Sequence, residues 1–254
     1  LRGPGNTLVS ATPAYNSGSQ TETLTPNAPL ANSTTYTATV SGAKDSSNNT
    51  MSPVTWSFTT AAPAPPPPDQ GPGGPIAIVT SNNPYSKYLA EILRTEGLNE
   101  FATIDIGSIT AATLAQYDTV ILGEVSVSGA QAATLTTWVN GGGNLIAMRP
   151  NSALSTLLGI TAASGTAFSN AYLKVDTATA PGAGIASDTI QYHGAADRYT
   201  LSGAQAITTI YSNATTATTF PAVTLRDVGT SGGQAAAFTY DLAKSVVQTR
   251  QGNP

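Results

Sequence analysis

Arg149 follows Leu145-Ile146-Ala147-Met148, a short apolar run that reads as a strand buried on both faces. A guanidinium at a strand end stays protonated, so it can grip a carboxylate or donate hydrogen bonds, but it cannot act as a nucleophile. Glu124 holds the equivalent place after Thr119-Val120-Ile121-Leu122, and Asn82 and Asn83 follow the run Ile76-Ala77-Ile78-Val79. In open α/β sheets, ligands bind just beyond the carboxyl ends of the strands. Asn82, Glu124, Arg149 and His193 are therefore expected to converge at one sheet edge. Two arrangements follow. Glu124 and Arg149 form an ion pair tying two loops together, which is the preferred reading, or they line a polar pocket with Asn82, Asn83 and His193. Such a pocket would take a neutral or anionic ligand, a carbohydrate or another small molecule.

His193 is the only histidine, so any imidazole acid–base step must use it. Asp197 and Tyr199 follow it closely. Ser152 is the nearest hydroxyl to the strand end at Arg149 and reads as a helix start. One histidine cannot supply the two or three that zinc sites use, and no metal or cofactor is implied. Asp176 and Asp188 are isolated turn carboxylates, and nothing pairs them as a glycosidase dyad.

The composition narrows the classes further. Charged residues make up 9% of the 254, against roughly a quarter in ordinary soluble proteins. Net charge is −4 with no basic run, which argues against nucleic acid and anionic membrane surfaces. Cysteine is absent, which excludes disulfides, thiolate metal sites and a cysteine nucleophile together. No apolar run approaches the ~20 residues that span a bilayer. The chain opens on Leu1, not Met, and reads as a piece of a longer, exported protein, secreted or held at the cell surface, whose export signal lies outside it.

Three segments must position these groups. Residues 1–60 alternate as antiparallel strands. Thr35 to Val40 and Val54 to Thr60 have period two, with Val54, Trp56 and Phe58 on one face. Tyr36 and Trp56 are expected in a core, and Asp45 in a turn rather than a calcium site. Residues 61–75 are a Pro/Gly-rich linker of extended character. Residues 76–254 alternate strands and helices, the pattern of a mainly parallel sheet covered on both faces. Helices are expected at 85–93, 111–115 and 130–140, the last stopped by Gly141, Gly142 and Gly143 through left-handed backbone. Beyond Leu158, runs at 172–175, 189–192, 206–211, 222–225 and 235–240 read as added antiparallel strands, and 241–247 as a final helix.

Leu24-Thr25-Pro26, Pro29-Leu30, Thr34-Thr35-Tyr36, Asp45-x-x-Asn48-Asn49 and Trp56-Ser57-Phe58-Thr59-Thr60 resemble the closing half of a bacterial Ig-like domain of the surface-layer type. That family usually has Gly-Asn where Asn48-Asn49 stands. The resemblance implies a partial sandwich, with a face bearing some of Tyr36, Val40, Trp56 and Phe58 short of a covering sheet, and hence a homodimer through this module or packing on the rest of the chain. Residues 76–250 resemble class I glutamine amidotransferase-like proteins, ThuA-like branches among them. The supporting pieces are Tyr117 to Leu122, Trp138 to Gly143, His193 with Asp197-Arg198-Tyr199, and Ala237 to Ala243. The fold this implies is a flavodoxin-like, amidotransferase-like α/β sheet. In catalytic members the strand after the triple glycine ends in a turn bearing a Cys nucleophile. Met148-Arg149-Pro150-Asn151 stands there instead, so that mechanism cannot run. The resemblance implies a non-catalytic accessory module beside carbohydrate-active or amide-hydrolysing domains of the same polypeptide. The alternative is a hydrolase of an ester, lactone or amide, with His193 as base on water or a nearby Ser/Thr.

Overall fold

The computed structural model describes residues 1–62, 71–80 and 83–252. The linker expected at 61–75 lies, over 63–70, outside the described residues, as does Asn82. The chain divides into two compact units, Leu1–Pro65 and Pro66–Pro254.

The first unit is built from two hairpins. Strand β1 (Ala11–Asn16) pairs antiparallel with β2 (Thr21–Pro26), and β3 (Thr35–Val40) with β4 (Val54–Thr59). Backbone bonds between Arg2 and Thr37, both 2.8 Å, lay the N-terminal segment beside β3. The two faces of the second hairpin differ in chemistry because its residues alternate. One face is a hydroxyl ladder, Thr35–Thr59, Thr37–Ser57 and Thr39–Thr55, at 2.9 to 3.0 Å. The other pairs Tyr36 with Phe58, Ala38 with Trp56 and Val40 with Val54. Tyr36 is buried as expected, stacked on Phe58 and lying against Gly3. Trp56 is not in a core. It is 49% exposed, in a face that also leaves Val40, Val54 and Phe58 open. Asp45 sits in a turn, accepting from the backbone N–H of Ser47 and Asn49 and from the Asn49 amide. These bonds hold its carboxyl below the usual aspartate value, the Asn49 side chain contributing most.

The second unit carries a nine-stranded mixed sheet. Strands β5 (Ile76–Thr80), β6 (Phe101–Asp105), β7 (Thr119–Leu122) and β8 (Asn144–Met148) alternate with helices α1 (Tyr88–Thr95), α2 (Ala111–Leu114) and α3 (Gly129–Asn140). Next come α4 (Ser155–Leu158) and the short strands β9 (Ile160–Ala162) and β10 (Phe168–Ser169). Strand β11 (Tyr172–Val175) is followed by three more short ones, β12 (Ile190–Gln191), β13 (Ala195–Ala196) and β14 (Tyr199–Leu201). The chain closes with β15 (Gln205–Tyr211), β16 (Ala217–Val228), β17 (Gly233–Phe238) and α5 (Leu242–Gln251). The sheet order is β12-β11-β15-β16-β17-β8-β7-β5-β6. From β6 to β17 every pairing is parallel, and from β17 to β12 every pairing is antiparallel. The parallel part, counted in chain order, runs second-first-third-fourth-fifth, the flavodoxin-like order.

Alternation divides each parallel strand between two cores. Ala77, Val79, Val120, Leu122, Leu145 and Ala147 face α2 and α3, with Leu135 and Val139 packed on them. Ile78, Ile121 and Met148 face α1 and α5, with Leu89 and Ala243. Both faces are covered, which is why these strands read as continuous apolar runs. Helix α3 starts at a capping box in which Ser128 and Gln131 exchange hydrogen bonds. Its end corrects the reading of the three glycines. Gly141 is right-handed (φ −80) and only Gly142 has positive φ (112). Gly143 is needed for space, since a Cβ there would enter the Trp138 ring. No helix among the described residues is long and apolar enough to cross a membrane.

Candidate functional site

Strand β5 hands the chain to α1 on one face, and the return from β6 to β7 crosses the other face, so the connections diverge between β5 and β7. A crevice forms outside the carboxyl ends of strands at such a reversal. A polar depression of about 370 Å3 lies there, lined by Asn83, Glu124, Val125, Ser126, Arg149 and Asn151. Each residue is placed by the turn after a strand: Asn83 after β5, Glu124 after β7, Arg149 after β8.

Arg149 occupies the sharp turn at the end of β8 with φ +41, left-handed backbone that costs a non-glycine residue about 1–3 kcal/mol. Its N–H donates to the Phe238 carbonyl at 2.7 Å, which ties the turn to β17. The guanidinium is held by two carboxylates. Nε and Nη2 donate to Asp197 Oδ2 and Oδ1, both at 3.1 Å, and Nη1 donates to Glu124 Oε1 at 2.9 Å. The Asp197 pair is the two-pronged geometry that a planar guanidinium favours. Three of the five N–H groups are thus committed to protein carboxylates. The side chains of Arg149, Glu124 and Asp197 are 31%, 35% and 34% exposed, so water weakens the attraction without abolishing it. Bonding to Asp197 raises the Arg149 pKa further, against partial burial. One cation faces two carboxylates, leaving an excess negative charge that disfavours an anionic ligand.

Around this fork the other groups are also occupied. Tyr199 donates its hydroxyl to the Pro150 carbonyl at 3.2 Å, and burial raises its pKa. Asn83 donates to the Glu124 carbonyl (3.3 Å) and to Asp241 Oδ2 (3.4 Å), and accepts from the Tyr85 N–H. Asn151 caps a single 3₁₀ turn, Ser152–Leu154, accepting from the Ala153 N–H. Ser152 is exposed as the first residue of that turn.

His193 is not among the residues lining the depression. It is half-buried, and its backbone N–H donates to Ser245 Oγ of α5 at 3.1 Å. Its imidazole makes no hydrogen bond among the described residues. Asp176 accepts from the Ala178 N–H within a turn. No group of three or more His, Cys, Asp or Glu side chains among the described residues is arranged to hold a metal.

Structure therefore brings Asn83, Glu124, Arg149, Asp197 and Tyr199 into one network and sets His193 against α5. The sequence had associated Asp197 with His193, four residues away, and missed its bond to Arg149, 48 residues away. Asn151 and the buried Asp241 were missed as well. Asp241 carried a usable signal, an acidic residue just before a helix, and it accepts from the Lys244 N–H as an N-cap.

Residues 1–60 match the family described as Bacterial Ig-like domain. No curated protein sequence matches the chain. Among solved structures, the chain is similar to an exo-β-1,4-mannosidase from Opitutaceae bacterium strain TAV5 (17% identity, TM-score 0.51, 71% of this chain and 34% of that one). It is also similar to a β-galactosidase from Rahnella sp. R3 (18%, 0.52, 71% and 32%) and one from Bacillus circulans sp. alkalophilus (13%, 0.51, 70% and 31%). At such identities the likeness establishes the fold: a mainly parallel α/β sheet with antiparallel strands added. The chain spans about a third of the length of these enzymes.

Proposed function

We propose that this chain is a non-catalytic accessory part of an exported, multidomain carbohydrate-active protein. In this reading residues 1–60 are an Ig-like module, 61–75 a linker and 76–254 an amidotransferase-like domain that binds or positions. The observation that carries it is Arg149 at the elbow after β8. The place where a catalytic amidotransferase-like protein would present its nucleophile holds a guanidinium closed on Asp197 and Glu124. The likeness to parts of three glycosidases supports the setting, and the Ig-like match supports the cell exterior. The excess negative charge beside Arg149 favours a neutral ligand such as a sugar over an anion. The hydrolase reading gains nothing from His193, whose imidazole makes no hydrogen bond among the described residues.

Two assays test this. The protein, offered 4-nitrophenyl acetate, a γ-lactone, glutamine and 4-nitrophenyl β-galactoside, is expected to turn over none of them. Turnover lost in His193→Ala would overturn the accessory reading. In affinity electrophoresis with soluble galactan and mannan, retardation weakened by Asn83→Ala would locate binding at the depression. The open face at Val40, Trp56 and Phe58 fits pairing with a second copy. Sedimentation should then show a dimer at tens of micromolar that Trp56→Ser weakens; a strict monomer would remove the dimer.

A further inference from the structure

The antiparallel half of the sheet encloses a second cavity, of about 410 Å3, that shares no residue with the polar depression. Its walls are apolar: Leu173 and Val175 from β11, Ile207 from β15, Val223 from β16, Phe238 from β17 and Leu242 from α5. Ile185 and Ile190 also line it and are about half exposed, as side chains at a mouth would be. No charged side chain is among the described residues lining it. Its size is within the range of small-molecule pockets, roughly 300–1,000 Å3.

Three hydroxyl-bearing side chains break this lining, Thr208, Thr224 and Tyr240. Thr208 is 6% exposed, and its hydroxyl has no hydrogen-bond partner. Register shows where it points. Val175 pairs with Thr208, Thr208 with Val223, and Val223 with Phe238. Residues directly opposite one another across a sheet project to the same face. Strand β15 is bulged against β16 on either side of Thr208, but its pairing with β11 is regular, so the Thr208 side chain shares the face of Val175, and both line the cavity. Thr224 also lines the cavity and is fully buried without a partner, but its side chain projects to the opposite face, with its row neighbour Ala237 in the core there. Buried polar groups are normally bonded, and one left open asks what bonds to it. The parallel edge shows that this chain can satisfy its polar groups where it closes on itself.

We propose that this cavity is a binding site for a small, uncharged, largely apolar molecule that carries one hydrogen-bonding group, an aromatic alcohol in type, held by Thr208. An acid or amine would enter with its charge unpaired and is excluded. Phe238 and Tyr240 in the wall suit a flat ring. The proposal is independent of the accessory reading, since it involves neither Arg149 nor His193.

Three probes test it on the whole protein: 2-naphthol, naphthalene and 2-naphthoate. Fluorescence titration should show 2-naphthol binding roughly tenfold tighter than naphthalene, the ratio one hydrogen bond supports, with 2-naphthoate not binding. Thr208→Val should bring 2-naphthol down to the level of naphthalene. Ala236→Leu, which fills the cavity, should abolish both. Methyl NMR of the unmodified protein needs no variant: 2-naphthol should shift Leu173, Val175, Ile207 and Leu225, and leave Leu135 and Leu145 unmoved. No saturable binding of 2-naphthol, or binding with shifts elsewhere, or equal affinity of the three probes, would overturn the proposal.

Discussion

In the parallel half of the sheet, from β6 to β17, the polar groups at the strand ends are spent on one another. Arg149 is forked on Asp197 and bonded to Glu124, Tyr199 holds the Pro150 carbonyl, and Asn83 bridges Glu124 and Asp241. In the antiparallel half the Thr208 hydroxyl is buried and unmatched on the face of an open apolar cavity. The contrast separates two meanings of a polar residue in a fold. A saturated cluster reports how the loops are fastened, whereas a buried group without a partner reports room for something else. A residue's place at a strand end is therefore weaker guidance to function than the state of its hydrogen bonds.

The packing side of this contrast gives the largest expected effect. Leu145→Ala removes a side chain that is 1% exposed in the parallel core and should cost about 2–5 kcal/mol. Leu225→Ala, the same change at the border of the existing cavity, should cost only about 1 kcal/mol. Urea unfolding of both variants checks this, and equal losses would erase the difference between the halves. Next is Arg149→Ala, which leaves Glu124 and Asp197 facing each other without their cation. With each partner about one-third exposed, the loss should be about 1–2 kcal/mol. Smaller still is a pair of hydroxyl removals. Thr208→Val should be neutral or stabilising by up to about 1 kcal/mol, because it deletes an unmatched group. Thr239→Val should instead cost about 1 kcal/mol, because that buried hydroxyl faces the Pro221 and Ala222 carbonyls. If both lose stability alike, Thr208 is satisfied in solution.

The mildest effect belongs to Asp45, whose carboxylate is saturated by its own turn. Its pKa is lowered on folding, so the ionised form favours the hairpin at every pH above the ordinary aspartate value. That preference fades as pH falls through the lower, folded value. A carboxyl NMR titration should place the midpoint below an ordinary aspartate, and a midpoint at or above it would mean the turn opens in water.

What the sequence made legible follows the same physics. Strands β5, β7 and β8 were readable because burial on both faces writes four apolar residues in a row, and Glu124 and Arg149 were placed at one edge simply by ending two of them. Strands β9, β10, β13 and β14 are two or three residues long, too short for any period to show, whereas β12 falls inside the run expected at 189–192. The hairpin of β1 and β2 carries Pro13 and Asn16 and buries little, so its alternation is weak. Trp56 illustrates the converse. Its period-two setting predicted a core face correctly as a face, but alternation says only which side chains share a side, not whether anything covers them. The bond from Arg149 to Asp197 was out of reach because it depends on how residues 149–199 fold back, and the nearer His193 offered a ready but different partner.

The closure of Arg149 on Asp197 is the central claim, and a double-mutant cycle measures it. Unfolding free energies of the parent, Arg149→Ala, Asp197→Ala and the double variant yield the coupling directly, free of what each truncation does elsewhere. A two-pronged pair at this exposure should show a favourable coupling of about 1 kcal/mol. A coupling of zero within error would mean that the guanidinium is not committed to the carboxylate in solution. Arg149 would then be free at the strand edge, and the reading of a self-saturated, non-catalytic elbow would fall.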